Sequence, residues 1–365
     1  MVYTAERSTN GKPASASVSS STALQAEPSQ LEVHVDQDQH RGTTTPIATL
    51  YLREINRTRP QDKLIILQKS LTQPEIVAAL VRAKLRGVEV SAVYRDHLSP
   101  ECERMRAQAQ SLNCGQIFQK SRHPHHKSMM VLQPNGTVRA IIGSYNTRNQ
   151  KAQEKRPRMH TVLFMEIPAA RALFDFYHAE SKRLLPPPVQ APKTQPVQAP
   201  KTLTLRSRRG LMQFILHPQS ANPVLQLLNT IRPSRDTRLW LSYYTALPET
   251  TFGLPVFEKL RGLQALGCQV RVLLDKNCAN LPAFEKLCAL RIPVRLARFP
   301  TGTATLGHKL VLVKNAQEVL VLQSSANLSH SHHRQKHNLT LCLRGRGFLP
   351  IHQKLEHEVA RYWRT

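Results

Sequence analysis

The sequence predicts an α/β protein of two similar lobes, each a mixed, mostly parallel sheet flanked by helices, related by a pseudo-two-fold axis. Three observations predict it. The order strand, helix, glycine, strand occurs twice, and its glycines, Gly87 and Gly267, lie 180 residues apart. Each copy carries a polar pattern: His125-His126-Lys127 then Gly143-Ser144-Tyr145-Asn146, and Gly307-His308-Lys309 then Ser324-Ser325-Ala326-Asn327. Lys127 and Lys309 are 182 residues apart and Asn146 and Asn327 are 181 apart, so the spacing hardly drifts. A proline-dense stretch separates the copies, in which Pro-Val-Gln-Ala-Pro-Lys-Thr runs from 188 to 194 and again from 196 to 202.

Taken in order, residues 1–30 are rich in Ser, Thr, Ala, Gln and Pro without apolar periodicity, the composition of a disordered tail. The first lobe is expected over 31–185. It opens on an apolar strand at 63–68 and a helix at 74–86 with Ile76, Ala79, Leu80 and Ala83 at helical spacing. Pro74 opens that helix and Gly87 lies just past its end. A strand at 88–94 and another at 116–119 follow. A hairpin over 128–132 and 138–142 turns at Pro134-Asn135-Gly136, and a closing helix covers 168–184. Residues 186–210 read as an extended spacer, ending on the basic Arg206, Arg208 and Arg209.

The second lobe, 211–365, repeats the order: strand 239–244, helix 255–266, Gly267, strands 269–274 and 294–297, hairpin 310–313 with 318–322, helix 350–363. In each lobe the hairpin brings the His/Lys segment at its entry close to the Ser-x-Asn turn at its exit. Residues 18 or 19 apart therefore share one rim.

Composition narrows the function classes. Lys+Arg 51 against Asp+Glu 24 gives a net charge of +27. Such an excess favours a polyanionic partner, because each neutralised phosphate releases condensed counterions. Nucleic acid is the leading expectation and an anionic membrane surface the second. No apolar run reaches the roughly 20 residues needed to span a bilayer, and residues 1–25 lack the apolar segment of a signal peptide, so a soluble, cytoplasmic protein is expected. The six cysteines contain no Cys-x-x-Cys pair and read as free thiols. Histidines cluster at His123, His125, His126 and at His330, His332, His333, His337. No Cys or carboxylate stands at ligand spacing beside them, so neither metal nor cofactor is expected.

An imidazole, a fixed cation and an amide donor at one point suit attack on a phosphodiester. The paired pattern resembles the phospholipase D superfamily, whose signature is His-x-Lys followed by Gly-Ser-x-Asn, twice in one chain. The resemblance covers roughly residues 31–365. It implies a shared site between two face-to-face lobes of a monomer, in which one histidine forms a phosphohistidine and the other donates a proton to the leaving oxygen, without a metal. Carried over residue by residue, it makes His125 the nucleophile and His308 the general acid. Lys127, Lys309, Asn146 and Asn327 hold the phosphoryl oxygens, and Ser144 and Ser325 occupy the serine positions.

Tyr145, Lys155 and Arg156 lie beside the first turn as candidate substrate contacts, and Lys336 follows Asn327 as Lys155 follows Asn146. Tyr243 and Tyr244 are further candidates for base stacking. Two departures stand out. Leu132 and Lys314 occupy the position of the acidic residue that the phospholipases carry, a loss shared with the tyrosyl-DNA phosphodiesterase branch. Gly307 occupies the second histidine position, with His308 displaced by one residue. The expected activity is therefore phosphodiester cleavage of nucleic acid. A phospholipase or phosphatidyltransferase and a degenerate, non-catalytic nucleic-acid-binding protein are the alternatives.

Overall fold

The structure, a computed structural model, describes residues 24–36, 45–96, 99–111, 117–121, 124–147, 158–185, 202–218, 221–249, 251–277, 280–299, 305–334 and 336–364. Lys155, Arg156, His123, Cys114, Cys278, most of the expected tail and the repeated proline segment lie outside them. Cys102, Cys268, Cys288 and Cys342 are free thiols.

The chain begins with β1 (Leu24–Gln25) and β2 (Gln30–Val35), then α1 (Pro46–Asn56), β3 (Lys63–Gln68), α2 (Pro74–Leu85) and β4 (Glu89–Tyr94). It continues through α3 (Pro100–Ser111), β5 (Phe118–Lys120), β6 (Lys127–Leu132), β7 (Val138–Gly143), β8 (Arg158–Met159), β9 (Thr161–Ile167) and α4 (Arg171–Arg183). The second half starts with β10 (Thr202–Ser207), β11 (Gly210–Leu216), α5 (Pro223–Asn229), β12 (Arg238–Tyr243), α6 (Gly253–Ala265) and β13 (Gln269–Leu274). It then forms α7 (Leu281–Ala289), β14 (Val294–Leu296), β15 (Thr305–Leu306), β16 (Lys309–Lys314), β17 (Val319–Ser324) and α8 (His330–Arg334). β18 (Leu339–Arg344) and α9 (Leu349–Arg364) close it.

Two large mixed sheets result, ordered β2-β9-β7-β6-β3-β4-β5 and β1-β10-β11-β18-β17-β16-β12-β13-β14. The sheets are mixed, as expected, but parallel pairing is the minority. It is confined to β3-β4-β5, β12-β13-β14 and the β1-β10 edge, and the remaining ladders are antiparallel. The reason is the hairpins: β6-β7 and β16-β17 reverse direction beside the parallel strands, and β9 and β18 reverse again. Two strands occupy segments that the sequence left without elements: β1 inside the expected tail and β10 inside the expected spacer, paired with each other.

Local chemistry accounts for the shared elements. β3, β6 and β16 are buried along most of their length on both faces and read as continuous apolar runs. α2 begins with Pro74 at its first turn, and Gly87 just past its end sits at φ +91°, where a Cβ is costly; Gly267 at φ +93° does the same after α6. α1 is capped by Thr45, whose hydroxyl accepts from the Ala48 amide at 3.2 Å.

A single apolar layer joins the halves. Met130, Ala140 and Leu163 of the first sheet meet Leu312, Val321 and Leu341 of the second, with Tyr177 of α4 and Leu355 of α9 in the same cluster. The outer faces are covered separately, by α1–α3 on one side and α5–α7 on the other. No helix among the described residues is long and apolar enough to cross a membrane.

Candidate active site

The two copies of the pattern meet across the lobe interface, and their backbones match bond for bond. The Ser144 amide donates to the Thr161 carbonyl at 3.0 Å, and the Ser325 amide donates to the Leu339 carbonyl at 3.0 Å. The Thr161 and Leu339 amides each return a bond to the serine hydroxyl at 3.1 Å. Lys127 Nζ donates to the His125 carbonyl at 2.9 Å, and Lys309 Nζ to the Gly307 carbonyl at 3.1 Å. Each segment is also held by the opposite lobe: His125 donates its amide to the His337 carbonyl at 2.8 Å, and Gly307 to the Met159 carbonyl at 2.6 Å. This matching pairs His160 with Asn338, each the residue just before its closing strand.

His125 lies at the centre. Its Nδ1 is 2.9 Å from Asn338 Oδ1. Asn338 donates its amide nitrogen to the carbonyls of His332 and Lys336, so its oxygen faces His125 and also accepts from Ser325 Oγ at 3.1 Å. Lys127 Nζ lies 3.2 Å from the same Nδ1, so Nδ1 faces both an acceptor and a cation; the shorter contact, to Asn338 Oδ1, favours the tautomer with the proton on Nδ1 and the lone pair on Nε2. Burial first, then Lys127, His332, Lys69 and Lys309, holds the imidazole well below its ordinary value, so it is neutral.

His332, on α8, is brought against His125 with ring centroids 4.8 Å apart in an edge-to-face contact. Its Nδ1 is 2.8 Å from Ser329 Oγ, and its Nε2 is 3.4 Å from both Asn327 Nδ2 and Lys336 Nζ. Burial, followed by Lys336, Lys127, Lys309 and Lys69, brings its pKa down to about 2. At that ring separation no phosphoryl group fits between the imidazoles, since a nucleophile alone needs about 3 Å to phosphorus. His332 instead occupies the donors of Asn327.

His308 is not brought into this cluster. It sits on the opposite side of the strand entry from Lys309, with Nδ1 3.1 Å from Ser242 Oγ and its ring beside Tyr362 of α9. It is fully buried, its Nε2 has no hydrogen-bond partner among the described residues, and burial and then Lys309 push it down to about 3. The reason is alternation along an extended segment. No bulge re-aims the ring: the His308 carbonyl receives the Tyr244 amide just as the His126 carbonyl receives the Lys69 amide, so His308 is the mate of His126 and not of His125.

The other expected contacts divide. Lys127, Lys309 and Asn327 reach the cluster, and Asn146 stands at the first turn with its Oδ1 buried and unpartnered among the described residues. Ser144 and Ser325 are buried; each hydroxyl accepts from the first amide of the closing strand and contacts the residue before it, His160 or Asn338, so they shape the rim. Tyr145 is buried against Tyr51 and His160, with its hydroxyl donating to Gln73, and Tyr243 is buried in the outer core; neither presents a face for stacking. Tyr244 is half-buried, with Lys309 Nζ 5.4 Å from its ring centre.

Sequence reasoning missed Lys69, Asn338, His160 and the placement of His332. Lys69 carried a readable signal, standing directly after β3 at the carboxyl end of a parallel pair, where α/β sheets gather their ligands. Among the described residues no group of three His, Cys, Asp or Glu side chains is disposed to hold a metal ion.

A second cross-lobe contact flanks the site. Glu180 of α4 lies 2.7 Å from His337 Nδ1 and 3.3 Å from His126 Nε2, with Arg183 3.6 Å away. Burial alone would raise its carboxyl, but the bonds with His126 and His337 outweigh burial and bring it down to about 2. A depressed carboxyl contributes stability above its ordinary value near 4.5, and that stability is lost as pH falls toward 2. Glu180→Gln is therefore expected to destabilise the protein most above pH 4.5, with wild type and variant converging toward pH 2 in denaturant titrations. A pH-independent difference would show that the charge of Glu180 is not what stabilises.

A family model described as "Cardiolipin synthase, PLD-like domain" matches residues 51–160, which hold the first His-x-Lys and Ser-x-Asn. Phosphatidylserine synthase from Haemophilus influenzae shares the architecture, with TM-score 0.60 and 14% identity over 93% of this chain and 88% of that one. Residues 51–160 match a phospholipase D-like domain, and the chain as a whole has the fold of that phosphatidylserine synthase.

Two further solved structures are similar to this chain in fold. Yeast tyrosyl-DNA phosphodiesterase gives TM-score 0.51 and 13% identity over 86% of this chain and 90% of that one. Polyphosphate kinase from Porphyromonas gingivalis gives 0.54 and 12% over 86% of this chain, which spans only 44% of that protein's length. No curated protein matches.

Proposed function

We propose that this protein is a metal-independent phosphodiesterase that cleaves nucleic acid through a phosphohistidine at His125. The observation that carries the reading is the Asn338 amide, anchored on two carbonyls so that its oxygen faces His125 Nδ1 at 2.9 Å and favours Nε2 as nucleophile. The Nε2 lone pair forms the bond to phosphorus while the bond to the leaving oxygen breaks. The Nδ1 proton stays on the ring, held by Asn338 Oδ1, as positive charge develops there. Lys127 and Lys309, whose charges act on His125, offset the phosphoryl charge as it builds. Water then attacks phosphorus, the N–P bond breaks, and His125 recovers its lone pair.

The net charge of +27 supports nucleic acid as the substrate class, since a tracked backbone presents one anion per nucleotide. The test is cleavage in excess EDTA of labelled single-stranded DNA, duplex DNA, RNA and phosphatidylglycerol vesicles by wild type and a His125 variant. Cutting of a nucleic acid that depends on His125 is the expected result. Headgroup release from vesicles without cutting of nucleic acid would move the substrate class to lipid, and salt-sensitive binding without turnover would make the chain a binding protein.

The pH profile is a further check. Because His125 is depressed, its neutral form persists as pH falls, and kcat/KM, which reports the free protein, is expected to stay flat well below pH 6.5 on the side governed by the nucleophile. An acid limb beginning near 6.5 and traced to His125 would contradict the buried, lysine-flanked environment.

A further inference from the structure

We infer that the proton donor missing from the second motif is supplied from the other lobe, by His160. This rests on the phosphodiesterase reading above and names a residue that the repeat conceals. In the first motif His125 is oriented by Asn338, which also bonds Ser325. In the second motif the mate of His125 is Gly307, and the mate of Asn338 is His160, which lies 3.3 Å from Ser144 Oγ. At these matched positions each half-site thus has one imidazole, with the places exchanged: a ring with a short amide opposite it in one, a bare backbone with a ring opposite it in the other.

The geometry explains the exchange. A Cβ placed on Gly307 would lie 2.7 Å from His160 Nδ1 and 3.0 Å from its Cε1, so the His160 ring fills the space in which a residue-307 side chain would begin. That Cβ would also lie 2.3 Å from the Met159 carbonyl oxygen, to which the Gly307 amide donates at 2.6 Å. Glycine at 307 lets β8 and β15 pair closely enough to deliver His160 across the interface. The ring is buried, braced edge-on by Tyr145 at 5.4 Å, and lies on the rim that Ser144 shares with the first motif. His308, the displaced imidazole of the second motif, faces the other way.

In the first step His160, carrying a proton, gives it to the leaving oxygen as the O–P bond breaks and the His125 N–P bond forms. In the second step neutral His160 takes a proton from the attacking water as the N–P bond breaks, which restores both imidazoles. The balance needs nothing beyond substrate and water.

The experiment compares wild type, His160→Asn, His160→Ala, His332→Ala and His125→Ala on two substrates: labelled single-stranded DNA, whose alcohol leaving group needs a proton, and bis(4-nitrophenyl) phosphate, whose phenolate does not. His160→Asn installs the residue that the other half-site carries at the matched position, which guards against simple misfolding. The expected result is a loss of about 100-fold or more on DNA with less than tenfold on the aryl ester. Added imidazole is expected to restore DNA cleavage to His160→Ala in proportion to its protonated fraction. Equal losses on both substrates, no loss on either, or the same leaving-group signature from His332→Ala with His160→Asn unaffected would overturn the assignment. Inactivity of His125→Ala on both substrates separates the two readings. If it holds while His160 gives no signature, the phosphohistidine reading stands and only the donor is wrong; if wild type cleaves neither substrate, both fall.

Discussion

Replacing His125 with alanine is expected to abolish phosphodiester turnover, by a factor on the order of 10⁴ to 10⁶, the range seen when a covalent nucleophile is removed. Neither His332 nor His308 is placed to substitute. His332 touches the His125 ring but is tied at both nitrogens by Ser329, Asn327 and Lys336, and His308 is turned into the second lobe. The variant is expected to fold, because the bond that seats this segment on the other lobe runs from the residue-125 amide to the His337 carbonyl and does not involve the ring. Acid quenching of wild type during turnover of labelled substrate is expected to trap an acid-labile phosphoryl group on the protein, absent from the variant. A variant that keeps a tenth of wild-type turnover would remove His125 from the chemistry.

Glu54→Ala is expected to cost about 3–5 kcal/mol of stability, the usual consequence of removing one partner from a buried ion pair. Arg139 on β7 is 2% exposed and reaches Glu54 on α1 at 2.7 Å; Asp62, at 4.0 Å, is its next carboxylate. Without Glu54 the guanidinium stays in the apolar layer between α1 and the first sheet. The melting temperature is expected to fall by roughly 6–20 °C, given about 2–4 °C per kcal/mol for a unit of this size. The double variant Glu54→Leu, Arg139→Met is expected to recover much of that loss, since it removes the uncompensated charge instead of exposing it. If the double variant is less stable than Glu54→Ala alone, the pair contributes through geometry that apolar groups cannot replace.

The strands and helices of the repeat were legible because each is encoded locally. The apolar run 63–68, the helix between Pro74 and Gly87, and the hairpin at Pro134-Asn135-Gly136 each carry their signal within a few residues, and all formed. α1, β9, β10, β11 and β18 were not read. β10 and β11 pair with each other across the two-residue turn Arg208-Arg209 inside what reads as a spacer, and β9 and β18 take their place by lying beside the hairpins. The excess of antiparallel pairing follows from those same strands.

Sequence alone determined that two related lobes would present two polar rims, and it marked His125, Lys127, Lys309, Asn146 and Asn327 as their groups, because spacing within one hairpin is a local matter. It also exposed the break in symmetry at Gly307. Which imidazole stands opposite that glycine was decided by the tertiary structure. A one-residue shift along an extended segment sends His308 to the far face, while Asn338 and His332 reach His125 and His160 reaches Gly307 from residues far apart in the chain, carried there by two sheets packing face to face.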